Sequence, residues 1–316
     1  DEVQCRAIAA AAASAGVIFA VCQVLRYIPL YNRARALLHG EVPGVDLGRI
    51  KMVDHVEPVG HWHWAHSYVR GNWSNAASST FSFMAKSCHD IDLVANLIGR
   101  KALTVVASST PSEYADPSNQ PKEAQGARRC TECPIKNSCP VSAQRVYVDR
   151  SLEEGEISWP VDVVVPGLED MEETARAAAI RQAVSDGPYG RCAWHCSEHD
   201  VADNQAALLT FDGGTMAVIK MVAHSQELCD RFTRVYCTKG ELELDMASNS
   251  LRYRLFGGPT LATPPWSTEQ MEVPKTALWR HSGGDYYTAE AFARAVRTRD
   301  ASAVKTSAAD ALASHE

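Results

Sequence analysis

No run of about 20 uninterrupted apolar residues, the length needed to cross a bilayer, occurs in the chain. The best stretch, Ile8 to Leu25, is alanine-rich and broken by Ser14, Gly16 and Gln23, so no transmembrane helix is read. Blocks of one charge are also missing: 31 Lys and Arg stand scattered against 38 Asp and Glu, leaving a net charge of -7. Without a basic patch there is no electrostatic footprint for nucleic acid. No G-x-G-x-x-G follows a strand, and the DGG at 212 and SGG at 282 read as turns, so no complete dinucleotide cradle is legible. H-E-x-x-H and comparable metalloenzyme spacings are absent too. The opening DEVQCRAIAAAAASAGV has no basic segment ahead of its apolar stretch, so a signal peptide is not read and the expected location is cytoplasmic. Low-complexity tracts and repeats are missing beyond the alanine-rich start.

What is there is a globular composition: 316 residues, 46% of them apolar, enough for one large core or two ordinary ones. Asp1 to Ala15 and SAADALASHE at the other end both read as helices, and residues ahead of Asp1 are expected. VIFAVCQVL reads as a doubly buried parallel strand, and PLYNRARALLHG as a helix with Pro29 at its start and Gly40 at its end. Helix, buried strand, helix is the closing unit of a doubly wound α/β domain. Beyond it the pattern changes. RIKMVDHVEPVG alternates, residues 81–98 read as a helix, and ALTVVASST reads as a strand. From Gln205, AALLTF, TMAVIKMVA, RFTRVYC and ELELDM form a meander with DGG and TKG turns, followed by a helix in DYYTAEAFARAVRT. The fold class is therefore α/β: a remnant of a Rossmann-type domain over 1–44, then, over 45–316, an α/β domain with a large, open, mainly antiparallel sheet and a Cys-rich insertion around 108–200. An exposed face of such a sheet would permit homo-oligomerisation.

Three segments carry chemistry. On the helix through 83–98, Met84, Cys88, Ile91 and Ile98 fall near one face, while Lys86, His89 and Asp92 step along another at i, i+3 spacing. A histidine so flanked reads as a proton carrier whose tautomer Asp92 fixes and whose alkoxide partner Lys86 stabilises, or as a buried histidine within a helix-surface salt bridge. HWHWAHSYVRGNW reads as a strand entering a loop, with His61 and His63 on one face and Trp62 and Trp64 on the other. Aromatic faces beside His63, His66, Arg70 and Trp73 suit a polyol, whereas for Trp62, Trp64 and Trp73 a place in the core is the better reading. RRCTECPIKNSCP sets Cys130, Cys133 and Cys139 as C-x2-C-x5-C, one ligand short of a tetrahedral Zn²⁺. Cys192 is the obvious fourth, with Cys196, His195 and His199 in reserve. A closed structural zinc, three inert thiols and an iron–sulfur cluster remain the alternatives. Ten cysteines in this arrangement fit reduced thiols or a metal better than a secreted disulfide scaffold.

The ordered succession VCQVLRYIPLYNRARALLHG, HWHWAHSYVRGNW, AKSCHDIDLVANLIG, FDGGTMAVIKM and VYCTKGELELD resembles the Gfo/Idh/MocA oxidoreductases. The resemblance implies a Rossmann domain that binds NAD or NADP, an open-sheet substrate domain, and hydride transfer at a hydroxyl-bearing carbon of a sugar or polyol. It aligns His89 with the histidine of the family's D-x-x-x-H helix. Ala85 stands where the aspartate is expected, with Lys86 beside it. Asp92 matches the aspartate three residues after the histidine, and Gln23, Arg26 and Tyr27 match the segment closing over the nicotinamide. The glycine-rich loop and the E-K-P lysine would both precede Asp1, which makes this chain a fragment of the oxidoreductase. The competing reading is a non-enzymatic, zinc-stabilised sheet domain for oligomerisation or sensing.

Overall fold

The computed structural model describes residues 2–257, 264–276, 278 and 280–315. Helix α1 (Glu2–Ala15) and α2 (Pro29–Leu38) precede strand β1 (Ile50–Pro58), followed by α3 (His61–Trp64), α4 (Ala76–Ser79), α5 (Ser82–Ile98) and β2 (Ala102–Thr110). The insertion holds α6 (Arg150–Leu152), α7 (Val161–Val164) and α8 (Glu173–Asp186). Strands β3 (Asn204–Phe211), β4 (Thr215–Val222), β5 (Phe232–Cys237), β6 (Gly240–Asp245), β7 (Ser250–Leu255) and β8 (Ser267–Gln270) complete the sheet, and α9 (Gly284–Thr298) and α10 (Ala308–His315) end the chain.

The strand order is β2-β3-β4-β1-β5-β6-β7-β8. Every neighbouring pair is antiparallel except β1 with β4, where Met52 faces Met216 and Glu57 faces Met221 in parallel register. The open, mainly antiparallel sheet is therefore as the alternation predicts. Period-two burial sends Val53, His55 and Glu57 of β1 and Ala217, Ile219 and Met221 of β4 to one face, against which α5 packs, with α2 beside it. Residues 24–38 join the same core: Leu25, Ile28, Leu30, Tyr31, Ala34 and Leu37 pack together with Leu93, Ile219, Leu242 and Leu244. The other face carries a lattice of charge in which Arg234, Arg252 and Arg254 pair with Glu241 and Glu243, and Lys220 with Asp54. Beyond it, edge strand β2 exposes Leu103, Val105 and Val106.

Three local expectations fail. VIFAVCQVL forms no strand: residues 17–23 are irregular and Val24–Tyr27 is a 3₁₀ turn. A buried parallel strand needs a ladder on each side. Here Val21 donates to the Thr306 carbonyl, and its own carbonyl accepts from the Thr306 hydroxyl and from Gln23 N two residues on, which is no ladder. HWHWAHSYVR is a helix, α3 running into the wider π-type turn Ala65–Arg70, so Trp64 stacks on Tyr68 four residues on, at 4.5 Å, and the expected His/Trp alternation does not arise. On α5 the inward stripe is Phe83, Ser87, Asp90, Val94 and Leu97, while Met84, Cys88 and Ile91 are only half-buried. An apolar-periodicity reading passes over Asp90 because it is charged, yet its charge is paired inside the fold.

The insertion has its own small core, in which Val146, Tyr147, Val161, Leu168, Ile180 and Val184 close around one another. It leaves the sheet at Thr110 and re-enters at Asn204, residues directly paired across β2 and β3.

Candidate active site

β1 places His55 and Glu57 on its inward face, and α5 crosses above them with Lys86, His89 and Asp90 spaced along one and a half turns. Arg231, just before β5 and only 2% exposed, donates from Nε to Asp90 Oδ1 at 2.6 Å and lies 3.0 Å from Glu57 Oε2. Lys86 Nζ reaches Glu57 Oε1 at 3.3 Å, and His55 Nε2 lies 3.1 Å from Asp90 Oδ1. Two carboxylates and two cations thus compensate each other in the interior, the arrangement that makes buried charge tolerable. Burial alone would lower the Lys86 pKa, but the Cys229 sulfur at 3.0 Å and the Glu57 carboxylate outweigh it and hold the group above its ordinary value. Lys86 is an ammonium at neutral pH.

His89 is oriented by a residue far away in sequence. Its Nδ1 donates to Gln23 Oε1 at 2.7 Å, which fixes the tautomer and leaves Nε2 with the free lone pair. Burial, then the Arg231 charge, pull His89 down to about 4, so it is neutral at physiological pH. The expected partner, Asp92, is elsewhere: both of its oxygens accept from Arg26, each at 2.6 Å. Positions 89 and 92 stand only about 60° apart around the helix, and both meet the 23–27 segment; the pairing differs because Arg26 takes both Asp92 oxygens while Gln23 meets His89. Tyr27 points to Thr306, whose hydroxyl is 2.9 Å from its own. Gln23, Arg26 and Tyr27 therefore form one wall with α5, but each is engaged within the chain.

The HWHWAHSYVR helix is started by Gly60, at φ 93°, where a Cβ would meet Leu228 and the Glu227 carbonyl. It splits the four candidate substrate residues. His63 faces the Lys86 cluster, its Nδ1 3.5 Å from Cys229 Sγ, and burial followed by the Lys86 charge keeps it well below its ordinary pKa. His66 turns the other way, bonded through Nδ1 to the Tyr147 hydroxyl at 2.9 Å and stacked on Tyr189, with burial drawing it down to about 4. Arg70 points into the cysteine-rich insertion, and Trp73 is 44% exposed. The structure thus brings Lys86, His89, His63 and Gln23 to one side and leaves His66 and Arg70 on another. It adds Glu57, His55, Arg231, Cys229 and Asp90, which sequence reasoning did not assign. The signal was present in β1, where charged residues occupy inward positions of an alternating run.

Cys130, Cys133, Cys139 and Cys192 line a single cavity, although among the described residues no three His, Cys, Asp or Glu stand close enough to hold a metal ion as they are. Among the described residues no helix is long and apolar enough to cross a membrane.

A family model described as an oxidoreductase family, C-terminal alpha/beta domain, matches residues 44–312. No curated protein sequence matches. Among solved structures, the chain is similar to an oxidoreductase from Agrobacterium radiobacter in complex with NAD+, L-tartaric acid and magnesium, at TM-score 0.58 and 10% identity, covering 99% of this chain and 64% of that one. It is also similar to the aldose-aldose oxidoreductase from Caulobacter crescentus complexed with glycerol, at TM-score 0.54, 14% identity and coverage of 99% and 63%. UDP-N-acetylglucosamine 3-dehydrogenase from Acidithiobacillus ferrooxidans gives 0.52, 12%, 100% and 64%. The chain therefore spans less than two thirds of the length of these proteins.

Proposed function

From the premise that the chain belongs to the Gfo/Idh/MocA oxidoreductase family through its C-terminal α/β domain, we propose that it is the substrate-side part of an NAD- or NADP-dependent oxidoreductase acting on a hydroxyl-bearing carbon of a sugar or polyol. The observation that carries this reading is His89: neutral, held in one tautomer by Gln23, with Nε2 free and a buried ammonium, Lys86, one turn before it. Oxidation of a carbinol requires a base for the hydroxyl proton and a positive charge for the developing alkoxide. His89 Nε2 takes the proton, Lys86 stabilises the oxygen, and His63 contributes a hydrogen bond to a neighbouring hydroxyl. Asp92 serves through Arg26, fixing the 24–27 turn against α5.

The residues present do not fit a complete dinucleotide. Gln23, Arg26 and Tyr27 are bonded within the chain, and the sequence holds no G-x-G-x-x-G turn for the pyrophosphate. We read residues 1–44 as the closing part of a dinucleotide-binding domain. The exposed β2 residues and the charge lattice of the open face support self-association through the sheet. The competing reading, a non-enzymatic zinc-stabilised sheet domain, makes opposite predictions for cofactor.

The test is to express the full-length gene product and follow NAD+ or NADP+ reduction over a panel of aldoses, inositols and sugar acids. Turnover that falls about 10²-fold or more in His89→Ala, with the fold retained, supports the reading. Absence of NADH and NADPH binding by the full-length protein would overturn it in favour of the non-enzymatic domain.

A further inference from the structure

The insertion contains a buried positive charge with no counter-charge. Arg70 is 7% exposed, yet among the described residues it makes no ion pair. Its Nε donates to the Arg191 carbonyl and one terminal nitrogen to the Val141 carbonyl, both at 2.8 Å, and that nitrogen also lies 3.6 Å from Cys130 Sγ. The other terminal nitrogen has no partner. Two carbonyl dipoles do not neutralise a guanidinium, and a buried ion left without a counter-charge is strongly destabilising. Something anionic belongs beside it.

The same cavity wall that carries Arg70 carries Cys130, Cys133, Cys139 and Cys192. Their convergence is built by the backbone. Cys133 N donates to Cys130 O and Cys139 N to Ile135 O, folding C-x2-C-x5-C into two consecutive knuckles. A lone antiparallel bridge between Arg129 and Arg191, with Cys192 N bonded to Arg128 O, then sets Cys192 beside Cys130 from 62 residues away. Four thiols and one unpaired cation facing the same small space have a common chemical explanation.

We propose that Cys130, Cys133, Cys139 and Cys192 bind a thiophilic metal centre as four thiolates, and that Arg70 is the counter-ion of the resulting anionic complex. Each thiol releases its proton to solvent as it coordinates, and both a Zn²⁺ tetrathiolate and a tetrathiolate iron–sulfur cluster carry net negative charge. The cavity has room for about one water-sized body, so as it stands it suits a single ion and would have to widen for a cluster. Among the described residues the thiols are not yet grouped as metal ligands, so they must close on the centre as it binds. The shared chemistry is the tetrathiolate, and it assigns Arg70 to charge compensation rather than to substrate. This assignment is independent of the oxidoreductase reading, because it needs neither cofactor nor turnover.

The experiment is metal and acid-labile sulfide analysis of the protein purified anaerobically from cells supplied with zinc and iron. Zinc in 1:1 ratio without sulfide identifies the mononuclear form; iron with matching sulfide and visible absorption bleached by dithionite identifies the cluster. Either result supports the tetrathiolate. Cys130→Ala and Cys192→Ala should lose the metal, whereas Cys237→Ala, a core thiol outside the cavity, should retain it. Arg70→Gln should weaken metal retention against a chelator by about tenfold or more. If the cysteine variants do not fold, thiol titration of the unaltered protein decides instead, since four thiols should be protected until a chelator is added. Neither metal bound after anaerobic reconstitution, or full metal retained in both cysteine variants, would overturn the proposal.

Discussion

Replacing Arg231 by Met gives the sharpest test of the buried charge network. The side chain is 2% exposed, its partners Asp90 and Glu57 are fully buried, and the contacts are 2.6 and 3.0 Å. Met fills much of the same volume, so the loss is mainly electrostatic: one carboxylate is left without compensation beyond what Lys86 and His55 supply. Breaking a buried pair in this way costs about 3–5 kcal/mol, which moves the urea midpoint by about 1 M or slightly more at a slope of about 3 kcal/mol/M. The pH dependence is the more specific signature. Burial pushes the Asp90 carboxyl up, but the Arg231 charge and the hydrogen bond from His55 outweigh it and hold the group well below the usual carboxylate range. With the folded value below the unfolded one, that stabilisation is complete above about pH 4 and is lost only as pH falls through the folded value. Without Arg231, burial dominates and Asp90 takes up a proton at a higher pH than in the unaltered protein. The stability gap should therefore be widest near pH 8 and narrow toward pH 5. Asp90→Asn added to Arg231→Met should recover part of the loss. A gap below about 1 kcal/mol at pH 8, or one that does not change with pH, would refute the account.

Three further expectations follow from named contacts. Because His89 is held at about 4 against an ordinary value near 6.5, stability is full above about pH 6.5 and declines as pH falls toward 4, by as much as about 3 kcal/mol; His89→Gln should flatten the curve in that window, and an unchanged slope in denaturation titrations counts against it. A Cβ at Gly190 would stand 1.6 Å from the Val184 carbonyl oxygen and 2.8 Å from Arg129. Gly190→Ala should therefore destabilise the insertion by at least about 1–3 kcal/mol, read as a drop in thermal midpoint; a midpoint within error of the unaltered protein contradicts the geometry. Cys22 is exposed while burial pushes Cys237 up to about 12, so timed iodoacetamide labelling with mass spectrometry should modify Cys22 at once and Cys237 only after unfolding. Equal rates would show that the sheet opens readily.

The sheet was legible because half-buried strands write period two into the sequence, and β1, β3, β4, β5 and β6 fall where that pattern is found, while β2, exposed along its whole length, shows only in its β-branched run. VIFAVCQVL misled because a continuous apolar run specifies burial without specifying hydrogen-bond partners. HWHWAHSYVR misled because alternating His and Trp imitate period two, while the constraint that decides the matter, Gly60 against Leu228, is long-range. His89 and Lys86 lie on the helix that the spacing predicts, and Gln23, expected on the cofactor side, meets His89 Nδ1. Arg231 and Glu57 escaped notice because nothing local reveals that an arginine before one strand meets a glutamate in another.

The direct pairing of Thr110 with Asn204 makes residues 111–203 the turn of a β-hairpin. In a two-residue hairpin the turn brings the strands together within microseconds; here nothing local does so, and closure carries the entropy of a long loop. An insertion already closed on its own core brings its two ends side by side and lowers that cost. A segment attached to the sheet at adjacent points is also removable in principle, since a short turn between the same two residues would keep the register of all eight strands. The cysteine-bearing unit is thus attached to the sheet through one hairpin, yet it is also packed into the main core, where Tyr114, Val141 and Trp194 lie and where Ser82 of α5 donates to the Ala202 carbonyl.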